Sequence, residues 1–121
     1  MSTKIPKPYS HFISWSQAQT MIGLYQTNRD SILAPEYQGR DVLAFSELFN
    51  VTAFVALVNV PGCAAIRIYY GMDDNLLVHA ILVAVDSQGN DIVSVSNPTA
   101  TFESGGSPPV VEEGQRCPPN C

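Results

Sequence analysis

Arg67, Tyr69 and His79 are the residues of this chain whose types and spacing could do chemistry together. They supply a cation, a phenol and an imidazole that titrates near neutrality, a set suited to proton transfer on a small anionic ligand. Arg67 stands inside the apolar run AAIRIYY, where an unpaired guanidinium is costly and must meet a carboxylate, carbonyls or a bound anion. A structural ion pair with a loop aspartate or the tail is the leading reading, and an anion site the other. Whether His79 lies beside Arg67 depends on the hairpin register. A five-residue loop from Gly71 to Asn75 sets the two opposite each other, and a four-residue loop sets them on opposite faces. A lone histidine in an apolar strand is more often a hydrogen-bonded core residue than a catalyst.

Three cysteines follow: Cys63, and the terminal pair Cys117 and Cys121 in CPPNC. Two prolines restrict the chain between the pair, so either a short Cys117–Cys121 link or a longer link from one of them to Cys63 is the expectation, with free thiols as the rival. The long link would constrain the unfolded chain more. Three intervening residues match neither a redox CxxC nor a zinc knuckle, and no metal is expected. The acidic loops MDDN and DSQGND crowd oxygen ligands without a complete calcium pattern. DSQG reads instead as a hairpin turn capped by Asp86, with Gly89 in the left-handed position. No GxSxG, P-loop, dinucleotide fingerprint or HExxH is present, so the sequence implies no cofactor and leaves enzymatic activity undecided.

Charge narrows the partners. Only 14% of residues are charged, against roughly 25% for ordinary soluble domains, and the net charge is -5. Between Arg67 and Arg116 no cation interrupts a series of seven carboxylates, a distribution that repels nucleic acid and anionic membrane. The opening MSTKIPKPYSHF lacks an apolar leader core and the apolar runs are broken, so a membrane span is not expected and a cytoplasmic location is.

The elements that must position these residues begin at Ser14. The SWSQ capping box and the spacing of Trp15, Ala18, Met21, Ile22 and Tyr25 predict a helix over about 15–29 whose stripe packs on a partner. LAFSELFNVTAFVALVNVPGC predicts a second helix, starting at Ser46–Glu47, burying Leu48, Val51, Val55 and Val58, and ending at Pro61–Gly62. A short strand at Val42 to Phe45 is the alternative for its approach. AAIRIYY, LLVHAILVAVD and DIVSVS then read as a three-stranded antiparallel meander. Its middle strand is apolar on both faces, so either helices cover both or another subunit covers one. From Asn97 the chain is rich in Pro, Gly and Ser, an irregular tail docked through its cysteines.

With the strand RIYYGMDDNLLVHAILVAVDSQGNDI and its terminal CPPNC, the chain resembles a group of short, uncharacterised bacterial proteins of Bacteroidetes type. They share an RxY[FY] strand, a VDxxGxD turn and a CPxxC-like end. The resemblance implies no activity and transfers no site residue.

The expected fold is α+β: two N-terminal helices packed on a three-stranded meander over 1–96, followed by a docked tail over 97–121. The expected role is a non-enzymatic interaction module forming a homo-oligomer, because charge is sparse and the middle strand is apolar on both faces. The alternative is a small enzyme or sensor binding an anionic metabolite through Arg67, Tyr69 and His79.

Overall fold

The computed structural model of the chain describes residues 5–93 and 109–121. It is a mixed α+β protein with two helices, a three-stranded antiparallel sheet and a two-stranded ribbon. Helix α1 spans Trp15–Asn28. Its start is the capping box: the Ser14 hydroxyl accepts from the Gln17 amide at 3.0 Å, and the Ser14 amide donates to the Gln17 side chain at 2.9 Å. Its apolar stripe does not pack on the sheet as expected, and no residue of the helix is buried. What holds α1 is polar and sits at its C-terminal end. The Tyr25 hydroxyl donates to the Ala44 carbonyl at 2.6 Å, and the Arg29 guanidinium donates to the Leu43 carbonyl, pairs with Asp41 at 3.3 Å and lies 4.2 Å over the Phe45 ring.

The second helix begins later than its sequence suggests. Ser46–Leu48 form strand β1, paired antiparallel with Gln115–Cys117, and helix α2 spans only Val51–Val58. Neither a helix start at Ser46 nor a strand at Val42–Phe45 is observed. Asn50 is the cap, accepting from the Thr52 amide at 2.9 Å. The buried face is also not the expected one: Leu48, Val51, Val55 and Val58 are exposed, while Leu57 and, just beyond the helix, Val60 point inward. VTAFVALV is apolar at every position but Thr52, so its pattern does not select a face, and contact with the sheet does.

Strands β2 (Ala65–Met72) and β3 (Val78–Val85) form the central hairpin, with Arg67 opposite Val83 and Gly71 opposite His79. The connection is the five residues Asp73 to Leu77, two positions later than the expected Gly71 to Asn75. Asp73 organises it, its Oδ1 accepting from the Asn75 and Leu77 amides at 2.9 and 3.1 Å. After β3, Asp86 accepts from the Gln88 and Asn90 amides and Gly89 adopts φ +86°, as the DSQG reading requires.

The third strand is a correction. Beyond the turn, Asp91 makes only an isolated bridge to Val85, and residues 94–96 of the expected strand lie outside the described residues. The third strand is instead β4, Val110–Val111, which pairs with β3 at Val83 and Leu82; β5, Gln115–Cys117, pairs with β1. Two short strands thus interrupt the segment expected to be irregular.

Leu57, Val60, Leu82 and Ala84 form the buried centre, with Phe49, Ile66, Ile92 and Val111 packed around it. Replacing fully buried Leu57 by alanine is expected to cost about 2–5 kcal/mol, and replacing exposed Val55 less than about 1 kcal/mol. Urea denaturation measures both, and equal losses would mean that the inward face of α2 is misassigned.

Candidate functional site

Arg67, Tyr69 and His79 all project from one face of the β2–β3 hairpin, because paired residues share a face and alternate residues of a strand do too. They do not converge. Val83, the partner of Arg67, lies four positions along β3 from His79, a separation of about 13 Å at the usual rise per residue. Two separate polar groups result, one at each end of the hairpin.

At the first, the Arg67 guanidinium donates to the Asp91 carboxylate and, at 3.2 Å, to the Gly89 carbonyl. The Tyr69 hydroxyl donates to the other oxygen of Asp91. These bonds raise the pKa of Arg67 and of Tyr69 above their ordinary values, the hydrogen bond to Asp91 being the largest cause in each case. The group is a half-exposed ion pair that ties the turn after β3 back onto β2.

At the second, the His79 Nε2 lies 2.7 Å from an Asp73 carboxylate oxygen. Its Nδ1 is buried without a hydrogen-bond partner, 3.7 Å from a Glu112 oxygen. The hydrogen bond with His79 is the main reason the Asp73 carboxyl lies below its ordinary value. An imidazole between two carboxylates can hold or pass a proton, but no group of three metal-type side chains is assembled among the described residues.

Sequence reading missed a third group. Arg116 on β5 is only 6% exposed, and its Nε donates to the Val78 carbonyl at 3.1 Å while one terminal nitrogen donates to the Asp41 and Val42 carbonyls at 2.9 and 3.0 Å. Its cross-strand neighbour Glu47 accepts the Ala80 amide at 3.0 Å. The other Glu47 oxygen is buried without a partner and faces Gly114, where a Cβ would approach it to 2.8 Å. The available signal was the position of Arg116, the only cation after Arg67.

Among the cysteines, Cys117 and Cys121 are joined in a disulfide, while Cys63 is a free thiol that donates to the Ala65 carbonyl at 3.3 Å. The long link to Cys63 is therefore not made. An open groove of about 420 Å³ runs between Phe45, Phe49 and Phe54 on one side and Ile68, Tyr70 and Leu82 on the other. A cleft of about 620 Å³ lies between His11 and Cys63, and one of about 310 Å³ along Met21, Leu24 and Ile32. None of these three is lined by Arg67, Tyr69 or His79.

Arg116→Met keeps the apolar stem and removes the donors to three carbonyls. A loss of about 3 kcal/mol or more is expected, at roughly 1–3 kcal/mol for each buried acceptor left unpaired. Unchanged urea stability would place Arg116 outside the core. The depressed pKa of Asp73 stabilises the fold above the ordinary carboxylate value of about 3.9, and that contribution is lost as pH falls through the folded value. Asp73→Asn should therefore be less stable than the parent at pH 6, with the difference shrinking below about pH 4. A pH-independent difference would show that the Asp73 charge is not involved.

The chain matches no family model, no curated protein and no solved structure.

Proposed function

We propose that this protein is a non-enzymatic interaction module that assembles with further copies of itself through apolar surface. The observation that carries this reading is α1. Met21, Leu24 and, just beyond the helix, Ile32 are 65%, 66% and 69% exposed and line one open cleft, on a helix with no buried residue. Large apolar side chains grouped in this way are a feature of interaction surfaces. The aromatic groove adds Phe45, Phe54 and Tyr70 to the exposed apolar area. Scarce surface charge lowers the repulsion that keeps soluble domains apart.

The polar groups support the same reading. Arg67, Tyr69 and Asp91 satisfy one another and Asp73 engages the Nε2 of His79, so most of these polar atoms are spent on joining turns to strands. The alternative, an anionic metabolite held by Arg67, has less support, because both terminal guanidinium nitrogens are already engaged. Nucleic acid is disfavoured by the net charge of -5. No helix among the described residues is long and apolar enough to cross a membrane. A cytoplasmic location and kinship with the bacterial group that shares its strand and turn pattern belong to this proposal; the Cys117–Cys121 disulfide, a bond of oxidising compartments, weighs against the first.

Light scattering coupled to size exclusion tests the assembly. The expected result is a mass that is a multiple of 13.1 kDa, reduced when Met21 and Leu24 are both replaced by glutamate. A strict monomer at the highest soluble concentration would overturn the reading.

A further inference from the structure

The two edges of the three-stranded sheet are treated differently. On the outer edge of β3, the backbone groups of alternate residues are taken up: the Val78 amide by Val42, the Val78 carbonyl by Arg116, the Ala80 amide by Glu47 and the Ala84 carbonyl by Ile92. That set fixes the parity of the whole hairpin. Residues 79, 81, 83 and 85 bond inward to β2, so on β2 the backbone groups of Ile66, Ile68, Tyr70 and Met72 point away from β3. Among the described residues nothing pairs with them, and β2 has β3 as its sole neighbour.

An exposed strand edge is normally protected by a proline, a lysine, an inward charge or a bulge. From Ile66 to Met72 this edge has no proline, lysine or break in register, and its one charged residue, Arg67, is neutralised by Asp91. Tyr70 is 81% exposed, and Ile68 and Met72 are exposed beside it.

We infer that β2 pairs antiparallel with β2 of a second copy, joining two three-stranded sheets into one of six strands. The inference rests on the self-assembly reading and adds a contact distinct from the α1 surface. A two-fold axis beside Tyr69 uses all the outward-pointing residues, setting Ile68 against the partner's Tyr70 and Ile66 against the partner's Met72, with each pair repeated by symmetry. Branched aliphatic against aromatic is a favourable cross-strand pair. On the opposite face the same axis brings Arg67 against the partner's Gly71, so no like charges meet, and the two Tyr69 rings become neighbours. A second copy is favoured over an unrelated strand because this register is self-complementary. From Ile66 to Met72 the edge carries no carboxylate, so the net charge of -5 does not set like charges against each other in this contact.

The test uses the full chain. Ile68→Pro removes an outward amide without breaking a bond to β3, and Tyr70→Lys adds charge to the edge without touching the core. Circular dichroism and urea denaturation verify that each variant folds, and light scattering with amide hydrogen exchange reads the interface. The expected result is an oligomer in the parent with protected Ile68 and Tyr70 amides. Self-association should weaken by about tenfold or more in at least one folded variant, with loss of that protection. A parent assembly that persists in both variants, or that leaves the Ile68 and Tyr70 amides unprotected, would overturn the edge contact while leaving self-assembly standing. A monomeric parent would overturn both, and protected edge amides in that monomer would show the edge to be covered within one chain.

Discussion

The outer edge of β3 is the constraint on which the remaining architecture depends. A strand at the centre of so small a protein cannot leave its backbone groups unpaired, and no single neighbour runs its full length. The chain completes the edge piecewise. Ile92 closes it beside the turn, Val110–Val111 pair with its middle, Glu47 takes the Ala80 amide, and Val42 with Arg116 takes Val78. Arg116 is central because one planar guanidinium reaches the carbonyls of Asp41, Val42 and Val78, segments that no continuous strand could serve together. Burial makes that arrangement obligatory, since donors and acceptors hidden from water have no other partner.

That demand explains how the polar side chains are used. Glu47 and Arg116 are neighbours across the β1–β5 ribbon, and both reach over to β3, so the ribbon is fastened to the sheet by side chains acting as backbone substitutes. Arg67 and Asp91 bind the second turn, and Asp73 and His79 the first. With few charged residues in the chain, those occupied internally leave an exterior in which apolar groups are prominent. An α1 with no buried residue and, among the described residues, a β2 edge without a second strand partner go with that sparse charge.

Polar fastening also explains why α1 can be ordered without contributing to the core. Its C-terminal turn is held through Tyr25 and Arg29 to the segment 41–45, and that segment is in turn held by Arg116 and Val78. Burial raises the pKa of Tyr25, as expected for a phenol half withdrawn from water. The helix therefore has its position without burying any of its residues.

What the sequence by itself determined is local. The Ser14 capping box, the Asp- and Gly-marked turn at Asp86–Asn90 and the existence of the β2–β3 hairpin, though not its register, are read correctly from residue type and spacing. Tertiary structure alone decided whatever depends on a distant partner. Ser46–Leu48 become a strand because Gln115–Cys117 lie alongside, against a local pattern that favours helix. The third strand comes from Val110–Val111, and largely apolar α2 turns Leu57 inward because the sheet stands on that side. The separation of Arg67 from His79 is a matter of register: a two-residue shift in the loop moves one strand by four positions past the other while keeping the same face. Within the loop, Asp73 favours the observed register by accepting the Asn75 and Leu77 amides, a side-chain contact that residue spacing alone does not reveal. The pairing of β3 with segments from both halves of the chain then seats Leu82 and Ala84 against Leu57.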